Sequence, residues 1–226
     1  MLISGFDKVT LLNYPGLVAC TIFTKGCNLK CPFCHNSSLI SGNDDTYIDE
    51  DEIFKYLNKR KNIIEGVCIS GGEPLLQKDI KEFIRKIKSL GLKVKLDTNG
   101  TNPDLILSLI NDNLLDYIAM DIKNIKSKYE LTSGAKVKID NILKSINIIE
   151  NSGIDYEFRT TIIKEFHTLS DIDYISKKLD KKSKYYIQNF VKSDAVLDKN
   201  LHSFTSDELK EMKQILNNKN IIFRDL

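Results

Sequence analysis

Three cysteines fall within eight positions, Cys27, Cys31 and Cys34, spaced C-x3-C-x2-C. Five cysteines are present in all, an odd number, and a cluster this dense reads as metal or redox chemistry rather than a disulfide framework. Three thiolates on one short loop can bind three irons of a 4Fe–4S cube and leave the fourth iron without a protein ligand. Proteins that only carry electrons usually supply four cysteines. An open iron is a place for a substrate or cofactor to coordinate. The alternative is a Cys3His zinc knuckle with His35 as fourth ligand. Adjacent Cys34 and His35 would chelate awkwardly, and zinc motifs usually come as spaced pairs. Cys20 and Cys68 lie inside apolar runs and read as small core hydrophobes, which leaves too few cysteines for a second cluster.

Other stretches carry side chains able to meet a ligand. Ser70-Gly71-Gly72-Glu73-Pro74 closes an apolar run. Glycines at 71 and 72 let backbone approach a ligand closely, and the Glu73 carboxylate suits a cation. The same residues also make a tight turn with Pro74 opening a helix. Asp97 and Asp121 end two further apolar runs, with Thr98 and Lys123 beside them. Two carboxylates at one site can bind a cation, whereas Asp97-Thr98-Asn99-Gly100 alone reads as a turn with a helix cap beyond it. Glu157, Arg159 and Thr161 share one strand face by two-residue alternation. A charged arginine in a central strand needs an anion, either a bound carboxylate or Glu157. Gln188 and Asn189 sit on the next strand, while His167 and His202 are isolated. Tyr129, with Leu131-Thr132-Ser133-Gly134, falls in a connecting loop that could touch a partner protein.

These residues need strands to position them. Residues 17–24 form a continuous apolar, β-rich run, the pattern of a strand buried on both faces. Further strands are expected at 64–70, 92–96, 117–122, 155–163 and 184–191, with a short one at 221–223. Helices at 49–61, 78–90, 103–111, 137–151, 170–179 and 205–217 alternate with them, and 124–135 reads as a loop. The alternation argues for an α/β fold of βαβ units with a parallel sheet and right-handed crossovers. Six such units fit a partial (β/α)6 barrel of parallel strands better than a closed eight-fold barrel, which takes about 250 residues. Ligand sites in such folds gather at the C-terminal ends of the strands. A single domain is expected over residues 1–226, with a βα core at 17–191 and a C-terminal extension at 192–226.

Lys plus Arg is 33 and Asp plus Glu is 31, a net charge of +2, so nothing sequence-wide draws the chain to nucleic acid or an anionic membrane. The apolar runs are strand length, and Asp7 and Lys8 interrupt any signal-peptide core. A cytoplasmic protein is expected.

The cysteine loop, with aromatic Phe33 directly before Cys34, resembles the signature of the radical S-adenosylmethionine (SAM) superfamily. The resemblance extends over nearly the whole chain. It is closer to activating enzymes of glycyl-radical proteins, and among these to activators of anaerobic ribonucleoside-triphosphate reductase. The residues that carry it are Gly5-Phe6, Tyr14-Pro15-Gly16, Phe23-Thr24-Lys25-Gly26-Cys27, Cys34-His35-Asn36, the Gly71-Gly72-Glu73 turn, Asp97-Thr98-Asn99-Gly100, Met120-Asp121-Ile122-Lys123 and Glu157-Phe158-Arg159-Thr160-Thr161. Asn13 departs from the pattern, which has Asp there.

The resemblance implies one 4Fe–4S cluster on Cys27, Cys31 and Cys34, and SAM held by Phe33, His35, Gly71, Gly72, Glu73, Asp97, Asp121, Lys123, Arg159 and Gln188. In that reading Glu73 meets the SAM ammonium, Arg159 its carboxylate and Gln188 its adenine, with a monovalent cation at Asp97 and Asp121. The implied reaction is reductive cleavage of SAM and removal of a hydrogen atom from a glycine Cα of the partner reductase. A flavodoxin or ferredoxin would be the electron donor. The alternatives are another glycyl-radical partner such as pyruvate formate-lyase, a small-molecule radical reaction such as the step toward 7-deazaguanine, and a non-catalytic zinc module that binds a partner.

Overall fold

The expected strands pair in the order in which they occur along the chain. The computed structural model describes residues 1–41, 47–216 and 220–224. Its strands are β1 (Ile3–Thr10), β2 (Ala19–Thr24), β3 (Gly66–Gly71), β4 (Lys93–Thr98), β5 (Tyr117–Asp121), β6 (Asp155–Ile162), β7 (Tyr185–Asn189) and β8 (Ile221–Arg224). Its helices are α1 (Ser38–Ser41), α2 (Glu50–Arg60), α3 (Ile80–Ser89), α4 (Pro103–Asn111), α5 (Tyr129–Ser133), α6 (Ile139–Glu150), α7 (Leu169–Lys178) and α8 (Ser206–Ile215). The strands form one sheet in the order β1 to β8. Every pairing from β2–β3 to β7–β8 is parallel.

Local chemistry sets the helix ends. Pro103 opens α4, where its missing N–H costs nothing, and the Asn102 side chain accepts from Leu105 N at 3.3 Å. Thr168 and Asp171 cap α7 reciprocally, as Thr205 and Glu208 cap α8. The expected helix at 205–217 thus spans Ser206–Ile215, with Asn217 outside the described residues. Each long helix turns an apolar face to the sheet; α3 buries Ile80, Phe83, Ile84 and Ile87. No described helix is long and apolar enough to cross a membrane.

Two regions differ from the sequence expectation. Residues before 17 contribute β1, an antiparallel edge strand whose register shifts twice against β2. Such irregularity hinders edge-to-edge pairing with another chain. With β8, it extends the sheet beyond residues 17–191 on both sides. The expected loop at 124–135 contains a 3-10 turn at Lys126–Lys128 and then α5, closed by Gly134 at φ 65°.

The sheet curls. β2 and β7 are five places apart in strand order, about 24 Å in a flat sheet. Yet Leu29, Cys31 and Phe33, just after β2, pack with Ile163, Phe190, Val196 and Leu201, just after β6 and β7. The result is the partial barrel expected from the βα alternation. Its lower end is filled by Tyr14, Ala19, Tyr117 and Ala119, with the Tyr14 and Tyr117 rings 5.9 Å apart.

Candidate functional site

The cysteine loop is held from three sides. Thr24 and Gly71 face each other where β2 and β3 end. Gly72 N donates to Thr24 O at 2.9 Å, and Glu73 N donates to Gly26 O at 2.7 Å. A Cβ on Gly72 would lie 2.0 Å from Gly26 O, and one on Gly71 would lie 2.2 Å from Thr24 N. Sequence alone reads this glycine pair as room for a ligand. In the structure it also admits the root of the cysteine loop itself, a contact no side chain would allow. On the second side, Lys30 N donates to Ser133 O at 3.0 Å and Gly134 lies against Lys30 O. On the third, Asp198 N donates to Pro32 O at 2.9 Å, His35 Nδ1 lies 3.3 Å from Ser193 Oγ, and the His35 ring lies 5.8 Å from Phe190.

A cavity of about 270 Å³ opens between this loop and the strand ends. Cys27, Cys31, Phe33, Cys34 and His35 line it from the loop, and Gly71, Gly72, Asp97, Asp121, Lys123, Arg159 and Gln188 line it from the barrel. The cavity therefore gathers the three cysteines and every residue that the resemblance implies for SAM, except Glu73. Burial pushes the Cys27, Cys31 and Cys34 thiols up, and the Lys123 ammonium partly offsets that at each. Cys27 Sγ also accepts from Leu29 N at 3.4 Å and from Asn99 Nδ2 at 4.0 Å. Among the described residues no three His, Cys, Asp or Glu side chains are gathered to hold a single metal ion. The three thiols instead share one cavity wall, an arrangement that suits a cube in which each takes its own iron.

Glu73 lies apart from the other candidates. Its carboxylate does not line the cavity; it is buried and accepts from Leu75 N at 3.1 Å, Thr98 Oγ1 at 2.8 Å and Asn99 N at 2.7 Å. These bonds tie the turn after β3 to the end of β4. Burial nonetheless dominates over the three donors and raises its pKa to about 7.

The inner faces of β4, β5 and β6 carry a charge network. Arg159 Nε donates to Asp121 Oδ1 at 2.8 Å, and its Nη1 lies 3.5 Å from Asp97 Oδ2. Lys123 Nζ donates to Asp121 Oδ2 at 3.2 Å, Lys95 donates to Asp97 Oδ1, and Ser70 Oγ donates to Asp97 Oδ2 at 3.1 Å. Burial disfavours ionisation of Asp97 and Asp121, but Arg159, with Lys95 at one and Lys123 at the other, outweighs it and holds both carboxyls below the usual range. The anion that Arg159 needs is thus Asp121 first, with Glu157 only at 3.8 Å. Glu157 is taken by Arg224 Nη2 at 2.8 and 3.0 Å and by the Tyr117 hydroxyl at 2.9 Å.

Lys95 and Arg224, which complete the inner charge network, are not among the residues singled out from the sequence. Lys95 was within reach, since it precedes Asp97 by two positions in an apolar strand and so shares its face. Nothing local marks Arg224, which meets Glu157 across a separation of 67 residues.

Known proteins resemble this chain in sequence and in fold. Residues 21–175 match the Radical SAM superfamily model. MJ1227 of Methanocaldococcus jannaschii, which carries an inferred assignment as a glycyl-radical enzyme activating enzyme, is 35% identical over 222 residues, spanning 95% of this chain and 91% of that protein. The pyruvate formate-lyase-activating enzyme of Clostridium pasteurianum is 27% identical over 184 residues, 78% of this chain and 74% of that enzyme. Streptococcus suis SuiB bound to S-adenosylmethionine superimposes with a TM-score of 0.71 at 18% identity over 88% of this chain, a likeness of fold. This chain spans about half of SuiB, 48% of its length. The fold is a mostly parallel α/β partial barrel, and the chain belongs to the radical SAM superfamily. Within it, the chain is an enzyme that groups with the glycyl-radical enzyme activating enzymes, and membership implies a 4Fe–4S cluster and SAM as cofactors.

Proposed function

We propose that this chain binds one 4Fe–4S cluster through Cys27, Cys31 and Cys34, binds SAM in the same cavity, and generates a glycyl radical on anaerobic ribonucleoside-triphosphate reductase. One observation carries the reading: three thiols of one loop and the charged inner ends of several strands open into a single cavity. When bound, the cluster and SAM supply one-electron cleavage of a sulfonium bond and a hydrogen-abstracting 5′-deoxyadenosyl radical.

The chain's own residues hold and shield that chemistry. The thiols, whose pKa burial pushes up, give up their protons to bind iron. Gly71 and Gly72 offer backbone to the SAM ammonium. Among the described residues the inner network sets Lys95, Lys123, Arg159 and Arg224 against Asp97, Asp121 and Glu157, four cations to three carboxylates. That excess of positive charge suits the SAM carboxylate, with Arg159 and Lys123 at the cavity wall. Gln188 serves the adenine, Phe33 and Leu29 keep water from the cluster side, and His35 pins the loop end to the segment after β7. We assign no monovalent cation to Asp97 and Asp121, because protein cations already neutralise them. Glu73 is a tie between β3 and β4 rather than a contact to the ammonium.

The described elements all belong to one sheet and its helices, which favours one domain with its mouth open to a loop of a second protein. A flavodoxin or ferredoxin is the proposed electron donor. The test is to mix the reconstituted protein with SAM, a reductant and the reductase from the same source, and to record electron paramagnetic resonance spectra. A doublet that changes when the glycine is deuterated at Cα is the expected result. A radical on a pyruvate formate-lyase-type enzyme instead would retain the mechanism and replace the partner. Consumption of a small molecule, with neither protein reacting, would overturn the activase reading.

A further inference from the structure

The last rung between β5 and β6 joins Asp121 to Arg159. Lys123 lies beyond it, outside the sheet, and still lines the cavity. Its carbonyl is held by the buried imidazole of His167, which is 2% exposed. His167 Nε2 lies 2.8 Å from Lys123 O, and its Nδ1 lies 3.2 Å from Ile163 N. An amide N–H only donates and a carbonyl only accepts, so the two partners together fix one state of the ring. Nδ1 accepts, Nε2 carries the proton, and the imidazole is neutral. His167 N donates in turn to Ile163 O at 2.9 Å, closing a tight turn after β6. Ile163 packs with Leu29, Cys31 and Phe33 of the cysteine loop. One imidazole thus bonds the segment that presents Lys123 and the segment that backs the cysteine loop.

We infer that His167 is a positioning residue for SAM: its Nε2–H bond to Lys123 O sets where the Lys123 ammonium meets the SAM carboxylate. The inference rests on the SAM reading above. Lys123 Nζ donates to Asp121 Oδ2 at 3.2 Å, and an ammonium has further donors for a ligand. Those donors follow the backbone that carries them, and a group misplaced by about 1 Å loses much of its effect. His167 touches neither SAM nor the cluster; it acts through Lys123.

His167→Asn and His167→Gln separate the two bonds. An Asn oxygen stands near the place of Nδ1 and can accept from Ile163 N, whereas a Gln amide nitrogen stands near that of Nε2 and can donate to Lys123 O. Each variant loses one buried hydrogen bond, so their melting temperatures should fall alike. Their SAM affinities should differ. In isothermal titration of the reconstituted, unreduced proteins, His167→Gln should bind SAM nearly as wild type does and His167→Asn roughly tenfold more weakly, with equal iron in each. In a Lys123→Ala background that difference should vanish. A loss in His167→Asn no greater than in His167→Gln, or a difference that persists without the Lys123 side chain, overturns the inference and leaves the SAM site standing. The nitrogen NMR spectrum of the iron-free wild type supplies a check that needs no variant to fold. A proton on His167 Nε2 alone is expected, and a proton on Nδ1 overturns the inference. A Lys123→Ala protein that binds SAM as wild type does overturns it too. A wild type that binds no SAM overturns both the inference and the reading beneath it.

Discussion

Along β4, Val94 and Leu96 pack toward the helices, while Lys95 and Asp97 point into the barrel. The same division runs through the neighbouring strands. Ile69, Ile118, Met120, Phe158 and Ile162 join the core outside the sheet, whereas Ser70, Asp121 and Arg159 line the cavity inside it. One backbone thus serves two kinds of interior. The outer one is close-packed hydrocarbon, where volume decides stability. The inner one is a set of charges whose cost of burial is met by partners on adjacent strands, so geometry across the register decides it.

Substitutions on the two faces should separate stability from chemistry. On the outer face, Phe158→Ala should lower the unfolding free energy by about 3–5 kcal/mol in urea while the protein still takes up iron. On the loop above the inner face, Cys27→Ala should abolish the intact cluster yet change the stability of the iron-free protein by less than about 1 kcal/mol. Iron lost from the first variant alone would erase the distinction.

Arg159→Leu probes the inner face directly. It removes the main cation from Asp121 and a second one from Asp97. Breaking a fully buried pair costs about 3–5 kcal/mol, and the one-third exposure of Asp121 reduces the expected loss to roughly 2 kcal/mol. SAM binding, followed by isothermal titration, should weaken as well. Wild-type stability and affinity in this variant would mean that the network is idle.

Acid sharpens the same comparison. Asp97 and Asp121 are held below the usual carboxylate range, so their contribution is fully present above their unfolded value of about 3.9. It is lost as pH falls through the folded values. Glu73 has the opposite sign. Its pKa is raised from 4.5 to about 7, so it favours the folded protein below about 4.5 and costs stability as pH rises toward and through 7. Denaturation midpoints against pH should show an acid limb that flattens in Arg159→Leu but not in Phe158→Ala. An unchanged limb in Arg159→Leu would remove Arg159 as its cause.

The smallest effect belongs to neither face. Lys177 pairs with Asp173 at 2.7 Å one turn away on the exposed side of α7. Lys177→Ala should cost about 0.3–0.5 kcal/mol and leave iron content and SAM binding unchanged.

The sequence made some of this legible and not the rest, for reasons of range. The cysteine spacing is local, so the cluster loop could be read directly. Parallel strands announce themselves as apolar runs between helices, and so β2 to β7 stood out. β1 did not, because Gly5, Asp7 and Lys8 break its apolar pattern at a half-exposed edge. α5 has five residues, too few for a helical period, and with it the burial of Tyr129 was missed. Alternation placed Glu157 and Arg159 on one face, but which carboxylate Arg159 takes depends on the pairing of Asp121 with Arg159 across β5 and β6. The fate of Glu73 depends on backbone donors from the end of β4, which no motif at 70–74 encodes.

The central claim is that the thiols of one loop and the charged inner face serve a single reaction centre. The most direct measurement is 5′-deoxyadenosine released from SAM by the anaerobically reconstituted, reduced protein. Wild type should hold close to four irons per chain and form 5′-deoxyadenosine with methionine, whereas Cys31→Ala should form none. Stoichiometric zinc, no cluster on reconstitution and no 5′-deoxyadenosine from wild type would contradict the account.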